Sequence, residues 1–266
     1  MKKCLMLCLS IVMVLLSKSQ QLQRINQTLE DIYRKYDSTK NLSFDVRFEY
    51  SSDTLLGKYD YEQMAGKYIL AGNKARYTLG DIDFLQNDSF FIAVYNRDKL
   101  IIVDEPKLLN SGSILPMRQQ LDSLLQNYNE HYNINSYNLS EDTGVIELIK
   151  SDSTAQLDRF SITYNRSNKM MLKLYYEYKE AADLDTNAIA VLKSIPGAED
   201  KIPIQKKRLT IHFLNYRNNN FDDVIFNENN YIWFDNGMWK PTTMYNDYKI
   251  YYTKQQKVYR DEIEQQ

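Results

Sequence analysis

The chain has 266 residues, with 33 Lys and Arg against 35 Asp and Glu and a net charge of −2. This balance gives no charge-based reason to expect nucleic acid or another polyanion as a partner. Its 22 Tyr and 10 Phe, against only 8 Gly and 5 Pro, favour β-strands around an apolar core over a disordered chain.

Residues 1–19 have the pattern of a signal peptide. Two lysines follow the initiator Met, and residues 4–16 form an apolar run that is short for a membrane span. Small residues then precede a cleavage site near Ser19 and Gln20. We expect export to the periplasm, with a mature chain that is not an integral membrane protein; an uncleaved membrane anchor is the alternative.

Both cysteines, Cys4 and Cys8, lie inside this segment, too early in the apolar run for a lipidation signal. A mature chain without cysteine cannot be a disulfide scaffold and has no thiolate metal site or cysteine nucleophile. Cleavage also lowers the basic count from 33 to 30 against 35 acidic residues, a net charge of −5.

Two segments after the signal show clear periodicity. Residues 22–36 carry apolar side chains at spacings of three and four, which predicts an amphipathic helix with one apolar stripe. Residues 42–50 alternate strictly between apolar and polar, which predicts a strand with one covered face and one face in water. Residues 56–64 continue as a Tyr-rich strand.

Residues 66–105 predict a meander of short antiparallel strands. Gly-Asn, Gly-Asp and Asn-Asp pairs and the cluster at 96–99 are typical of the turns between strands. The predicted strands are 67–71, 75–79, 84–86, 90–96 and 100–104. The last two are apolar on both faces, so each face needs a cover.

A second amphipathic helix is predicted over residues 114–129, with Ser113 as its N-cap. It and the first helix are candidate lids for the sheet. The pattern then returns to strands, at 145–149, 158–164, 170–178, 208–216, 221–226 and 242–252, with a hairpin over 231–239 closed by Asp-Asn-Gly.

An excursion at about 180–203 interrupts these strands, and a charged tail occupies 254–266. We interpret the excursion as a surface insertion rather than a mobile lid. Because no segment rich in Pro, Gly or Ser separates the two halves, we expect residues 20–266 to form a single β-rich domain.

The sequence contains no recognisable catalytic constellation. His131 and His212 have no neighbouring partner at metal-ligand spacing, and His212 is predicted to lie on a sheet face. Glycine loops and nucleophile motifs are also missing. We therefore predict a protein that is not an enzyme and uses no metal or cofactor. The many strand tyrosines fit either a β-rich core or a wall for an apolar ligand.

Order and spacing resemble those of the periplasmic lipoprotein carriers of the LolA/LolB superfamily. In that family a glycine-led strand is followed by a strand that ends in Arg and then by an aspartate turn. Gly66, Arg76 and Asp88 stand at these places, and a hairpin follows over 95–101. The resemblance covers residues 22–226. This chain is a divergent member of the pattern because it lacks the Arg-Pro pair of many carriers.

The resemblance implies an α+β fold: a half-open curved antiparallel β-sheet, or incomplete barrel, with amphipathic helices packed on its concave side as a lid. It implies a carrier or chaperone that binds acyl chains or lipoproteins in an apolar cavity. The alternative is a non-catalytic module that docks another envelope protein. The expected cavity lining is Phe44, Val46, Phe48, Tyr68, Leu70, Phe91, Ala93, Tyr95, Leu121 and Leu125.

Overall fold

The computed structural model describes residues 2–53, 59–107, 131–152, 157–181, 190, 194, 204–236 and 238–253. Its helix and first strands are α1 (Lys2–Ser38), β1 (Asn41–Asp53), β2 (Tyr59–Ala71), β3 (Lys74–Leu79), β4 (Ile82–Gln86), β5 (Phe91–Tyr95) and β6 (Leu100–Asp104). The remaining strands are β7 (Tyr132–Asn138), β8 (Thr143–Lys150), β9 (Leu157–Asn165), β10 (Met171–Ala181), β11 (Ile204–Arg217), β12 (Ile232–Asp235), β13 (Met238–Pro241) and β14 (Lys249–Tyr252).

Twelve strands form one sheet in the order β14-β6-β5-β4-β3-β2-β1-β11-β10-β9-β8-β7, and β12 pairs only with β13. Consecutive strands pair antiparallel from β2 to β6 and from β7 to β11. Strand β14 joins β6 in parallel. Because the order ends in two different strands, the sheet is open. The predicted α+β class is confirmed, and so is an open sheet whose strands, apart from β14, pair antiparallel wherever their register is described above.

The chain divides into two compact units. Unit 1 comprises Met1–Tyr36, Phe48–Gln63 and Leu121–His212, and unit 2 comprises Asp37–Arg47, Met64–Gln120 and Phe213–Gln266. Strands β1, β2 and β11 run through both units. The single domain over 20–266 stays a prediction.

Several predicted segments lie outside the described residues. These are the helix over 114–129, the tail over 254–266 and, apart from its first two residues and residues 190 and 194, the excursion over 180–203. The second helix of the predicted lid therefore stays a prediction.

In unit 1 the helix α1 covers part of the sheet. Its apolar stripe is buried, as the spacing over 22–36 predicts. The Tyr36 hydroxyl accepts a hydrogen bond from the backbone N–H of Met171 over 3.3 Å. Nearer the start of the helix, Gln21 Nε2 donates to the backbone oxygen of Ile134 over 3.4 Å. These bonds tie α1 to β10 and to the edge strand β7.

In unit 2 the meander has an apolar core on one of its two faces. Side chains of β4, β5 and β6 meet there with Tyr231 and Ile232, which are 1% and 0% exposed. The meander members of this core are Leu85, Ile92, Val94, Ile101 and Val103. The predicted meander is confirmed. The opposite face of the same strands is not part of this core.

Two predicted strands near the C-terminus are wrong in whole or in part. Residues 223–226 form a 3₁₀ helix instead of a strand, because the Asp222 side chain accepts a hydrogen bond from the backbone N–H of Val224 over 3.0 Å and caps the turn. Of the strand predicted over 242–252, only β14 forms, since the 3₁₀ helix Thr243–Tyr245 precedes it. The sequence also did not predict β7.

Candidate ligand-binding face

A row of aromatic rings crosses the second face of the meander. Tyr68 on β2 pairs with Tyr77 on β3, which pairs with Phe84 on β4. The ring centroids of Tyr68 and Tyr77 are 4.9 Å apart, and those of Tyr77 and Phe84 are 4.3 Å apart. Phe44 on β1 stacks on Tyr68 at 5.1 Å with ring planes 2° apart. Phe91 on β5 lies 6.1 Å beyond Phe84.

We call these five residues, together with Phe213 and Tyr216, the aromatic row. All seven belong to unit 2. Phe44 is 1% exposed, whereas the four rings from Tyr68 to Phe91 are half-buried. The row is therefore a continuous aromatic wall that is buried at its β1 end and partly accessible along the meander.

Tight turns set the register that lines up these rings. Gly72 and Gly80 each have φ of +59°, a left-handed conformation that glycine adopts without steric cost. Each glycine begins a two-residue loop, one between the pair Ala71 and Lys74 and one between the pair Leu79 and Ile82. Since strand side chains alternate between faces, a shift of one residue would send the rings to opposite faces.

At the β1 end of the row, an irregularity in β11 brings in two further rings. Asn215 has φ of +54°, and its Nδ2 donates to Asp45 Oδ2 over 2.7 Å. Asn tolerates this conformation better than other residues with a Cβ. Phe213 and Tyr216, on either side of it, both contact Phe44, with ring centroids 6.0 and 5.3 Å away.

At the β5 end, a buried amide fixes the chain that leaves β6. Gln86 Nε2 donates to the backbone oxygen of Lys107 over 2.6 Å, and Gln86 Oε1 accepts from the N–H of Lys107 over 3.1 Å. The ammonium of Lys107 lies 5.0 Å from the centroid of the Phe91 ring. This end of the row thus combines an aromatic ring with a positive charge.

Tyr68 and Tyr77 are held in their neutral form. Burial raises the pKa of Tyr68. Burial, together with the neighbouring hydroxyls of Tyr68 and Tyr95, raises the pKa of Tyr77 to about 12. At neutral pH these side chains offer apolar rings and uncharged hydroxyls, which suit an apolar ligand that carries a few polar groups.

The structure places seven of the ten predicted lining residues in unit 2 on the face of the row. Phe44, Tyr68 and Phe91 are members of the row, and the others are Val46, Leu70, Ala93 and Tyr95, which follow from strand alternation. Phe48 lies in the part of β1 that belongs to unit 1 and is half-buried. Leu121 and Leu125 lie outside the described residues. That these side chains line a ligand cavity stays a prediction.

Four members of the row were not predicted as lining residues: Tyr77, Phe84, Phe213 and Tyr216. The first two were detectable, because the predicted turns at 72–73 and 80–81 fix the pairing that places them beside Tyr68. The other two depend on the irregularity at Asn215, which no sequence pattern indicates.

Each histidine lies beside a carboxylate of unit 1. His212 is on β11, as predicted for a sheet-face residue, and its Nε2 is 3.3 Å from Glu49 Oε2. His131 Nδ1 is 2.7 Å from Asp152 Oδ2. Within the described part of the chain, no group of three or more His, Cys, Asp or Glu side chains is arranged to hold a metal ion. None of the helices described there is both long and apolar enough to cross a membrane.

No protein-family model and no curated protein matches the sequence. Among solved structures, the chain is similar to a putative outer membrane lipoprotein-sorting protein domain from Vibrio parahaemolyticus, at 10% identity and a TM-score of 0.30, over 79% of this chain and 97% of that one. It is also similar to a LolA superfamily protein from Nitrosomonas europaea, at 13% identity and a TM-score of 0.20, over 74% and 96% of the two chains.

Structures of the LolA superfamily are thus among those that resemble this chain. A third similar structure is the MucA/MucB complex of Pseudomonas aeruginosa, at 13% identity and a TM-score of 0.33. The match covers 75% of this chain and 59% of that one.

Proposed function

We propose that this protein is an exported periplasmic carrier or chaperone that binds the acyl chains of a lipid or lipoprotein against the aromatic row. The observation that carries the proposal is the unbroken stacking from Phe44 to Phe84, on a face where most of the rings are half-buried. The LolA-like pattern of the sequence supports the same role, which is non-catalytic.

Burial of the ligand's methylenes drives binding in this proposal. Each methylene removed from water contributes about 0.8 kcal/mol, so ten of them contribute about 8 kcal/mol before the cost of association is subtracted. Stacked rings are well suited to this task, because they are already ordered by one another and lose little side-chain entropy when a chain settles on them.

Polar groups at the edge of the row orient the ligand. Lys107, beside Phe91, attracts the carboxylate or phosphate of a lipid head group. The Gln86 amide fixes the backbone of Lys107, from which the chain continues towards residues 114–129.

Two measurements test the proposal. Mass spectrometry of lipid extracted from natively purified protein should identify an acyl compound. Titration with a fluorescent fatty acid should then give at least about tenfold weaker binding for Tyr77→Gln than for the wild type. The control is Tyr61→Gln, a tyrosine of unit 1 that is 52% exposed, which should change the affinity less than about twofold. Equal binding by the two variants would show that the aromatic row does not bind the fatty acid.

A specific feature of unit 1 favours the second candidate function, docking of another envelope protein. Strand β7 is an edge of the sheet, with five of its seven residues exposed and no charged residue or proline. The bonds from Leu139 N to Thr143 O and from Ser151 N to His131 O show that odd-numbered residues pair with β8. Even-numbered residues therefore direct their backbone groups outward.

The outward oxygen of Ile134 already accepts a hydrogen bond from Gln21 of α1, so an extended segment of a partner protein would pair further along β7, around Ser136. Ser136→Pro removes an outward N–H without removing a bond to β8, so it tests this role with little cost to the sheet. Capture of one defined envelope protein by the wild type, and its loss in Ser136→Pro, is the expected result. Unchanged capture would exclude β7 as the docking edge.

A further inference from the structure

The hairpin formed by β12 and β13 exposes an unusual amount of apolar surface. Trp233 is 43% exposed, Phe234 is 57% exposed and Met238 is 63% exposed. The hairpin belongs to unit 2 but lies outside the large sheet, since β12 and β13 pair only with each other. Large side chains with this exposure, grouped in one short element, indicate a surface that meets an apolar partner.

The base of this hairpin is firmly fixed. Tyr231, just before it, and Ile232, its first residue, are buried in the core of unit 2. Trp239 packs against that core, and its ring makes an edge contact with Phe90 at a centroid distance of 5.0 Å. Trp233 Nε1 also donates to the backbone oxygen of Pro241 over 3.1 Å. The exposed side chains are therefore presented on a rigid support.

The register shows that the exposed apolar groups lie on both faces of the hairpin. Trp233 pairs with Lys240, and Asp235 pairs with Met238, so Trp233 and Met238 share one face. Phe234 pairs with Trp239 on the other face. Docking on a folded protein would cover one face of the hairpin. Apolar groups on both faces suit a partner that surrounds the tip, which is a property of lipid.

The order of the side chains along the hairpin matches the polarity of a membrane interface. Met238 lies in the pair next to the turn and Phe234 in the second pair, whereas Trp233 and Lys240 form the third pair. Trp and Lys favour the head-group level of a bilayer, and purely apolar side chains lie deeper. The one carboxylate near the turn, Asp235, is paired with Lys240 at 2.5 Å, so the tip has no net charge from these two groups.

We propose that the β12–β13 hairpin inserts shallowly into the interface of a phospholipid bilayer and holds the protein at the membrane. This surface is separate from the aromatic row, and the proposal does not depend on acyl binding there. A carrier would use it to reach the membrane that donates or accepts its ligand.

The two tryptophans of the chain, Trp233 and Trp239, both lie in this hairpin, so intrinsic fluorescence reports on it directly. In Trp239→Phe, Trp233 is the sole fluorophore. With phosphatidylcholine vesicles its emission should move to shorter wavelength, and acyl-chain-brominated phosphatidylcholine should quench it at least about twofold. If that variant fails to fold, the wild-type emission gives the same test. Unchanged emission in the presence of vesicles would overturn the proposal.

Vesicle flotation provides the second test. The full chain should float with vesicles, and the double variant Phe234→Ser, Met238→Ser should float at least about tenfold less. The matched control is Leu139→Ser, Ile204→Ser, which removes two aliphatic side chains of unit 1 that are 68% and 69% exposed, and it should float like the wild type. Equal flotation of the two double variants would overturn the proposal. The proposal would also be overturned if the hairpin variant lost capture of a protein partner but floated like the wild type.

The experiments distinguish acyl binding at the aromatic row from membrane insertion of the hairpin. Tyr77→Gln should lose fatty-acid binding but float like the wild type, whereas the hairpin variant should keep fatty-acid binding. Urea unfolding midpoints that equal the wild-type value show that a loss of flotation is not a loss of fold.

Discussion

Asn87 donates a hydrogen bond from its Nδ2 to Glu228 Oε2 over 2.7 Å and links the meander of unit 2 to the chain before β12. The same amide nitrogen donates to the backbone oxygen of Phe226 over 3.2 Å. Its Oδ1 accepts from the backbone N–H groups of Ser89 and Phe90 over 2.9 and 2.8 Å. One buried side chain therefore holds the turn between β4 and β5 and fixes the segment that leads into the hairpin.

This arrangement predicts a large effect from an isosteric change. Asn87→Asp keeps the acceptor but loses the donor and places a carboxylate beside Glu228. We expect the free energy of unfolding at pH 7 to fall by about 2–4 kcal/mol, because the two carboxylates repel and the oxygen of Phe226 loses its partner. Urea unfolding measures this. The control Asp88→Asn changes the exposed neighbouring residue and should stay within about 0.5 kcal/mol of the wild type.

Gly66 marks a place where β2 has no room for a side chain. A Cβ there would lie 2.6 Å from the backbone oxygen of Thr78 and 3.0 Å from Val46 Cγ2. A backbone atom cannot move aside as a flexible side chain does, so we expect Gly66→Ala to lower the free energy of unfolding by about 1–3 kcal/mol. Chemical denaturation measures the loss.

The matched control for that change is Gly72→Asn. Gly72 also lies in unit 2, but the space around its Cβ position is open, so the only cost of Gly72→Asn is the backbone strain of a positive φ, which is smaller for Asn than for most residues with a Cβ. We expect a loss below about 1 kcal/mol. If Gly66→Ala were as mild as this control, the close approach of β2 and β3 at Thr78 would not constrain the sheet.

Local patterns were sufficient to predict the meander and the amphipathic helix, because their periodicity and turns lie within a few residues of one another. Pairing between distant segments was not accessible in this way. The parallel addition of β14 to β6 joins residues about 150 positions apart, and it packs Ile250 and Tyr252 against the core that contains Tyr231 and Ile232. The 3₁₀ helix after Asp222 was missed because a single side-chain hydrogen bond outweighs the strand propensity of residues 221–226.

The candidate site was predicted only in part for a similar reason. Alternation within single strands predicts Phe44, Tyr68 and Phe91, because alternation identifies the face of a strand but not which residues of the next strand lie beside it. Tyr77 and Phe84 enter the row through cross-strand register. Register depends on two strands and the turn between them, so it can be predicted from the sequence only after the positions of the turns are assigned.

The tyrosines of the row predict a loss of stability at alkaline pH. Burial is the main cause that raises the pKa of Tyr77 to about 12, whereas an unfolded tyrosine ionises near about 10. Between these two values the folded state binds the Tyr77 proton more tightly than the unfolded state does. The protonated Tyr77 therefore stabilises the fold below pH 10, and this contribution is lost as the pH rises towards 12.

We expect the free energy of unfolding to fall over that interval, and we expect Tyr77→Phe to make the fall less steep. Urea unfolding at a series of pH values measures the slope, and tyrosinate absorbance measures the ionisation itself. A Tyr77→Phe variant with the wild-type slope would show that this hydroxyl does not contribute.

Glu177 in unit 1 should give stability the opposite dependence on pH. Burial by itself raises the pKa of its carboxyl, but hydrogen bonds from Lys206, Tyr175 and Arg208 outweigh burial and leave the pKa below its usual range. Lys206 Nζ is 2.6 Å from Glu177 Oε1, and the Tyr175 hydroxyl donates to Oε2 over 2.8 Å. A depressed pKa stabilises the fold above the unfolded value of about 4.3, and the contribution is lost as the pH falls through the folded value.

Glu177→Gln should therefore lower the free energy of unfolding by about 1–3 kcal/mol at pH 7, and its difference from the wild type should shrink as the pH falls below about 4. The control is Glu180→Gln on the same strand, whose carboxylate is 55% exposed and pairs with Lys207. An exposed pair contributes little, so we expect a change below about 1 kcal/mol. If the Glu177→Gln difference stayed constant from pH 7 to pH 3, the carboxylate charge would not be the source of the stabilisation, and packing of the side chain would be responsible instead.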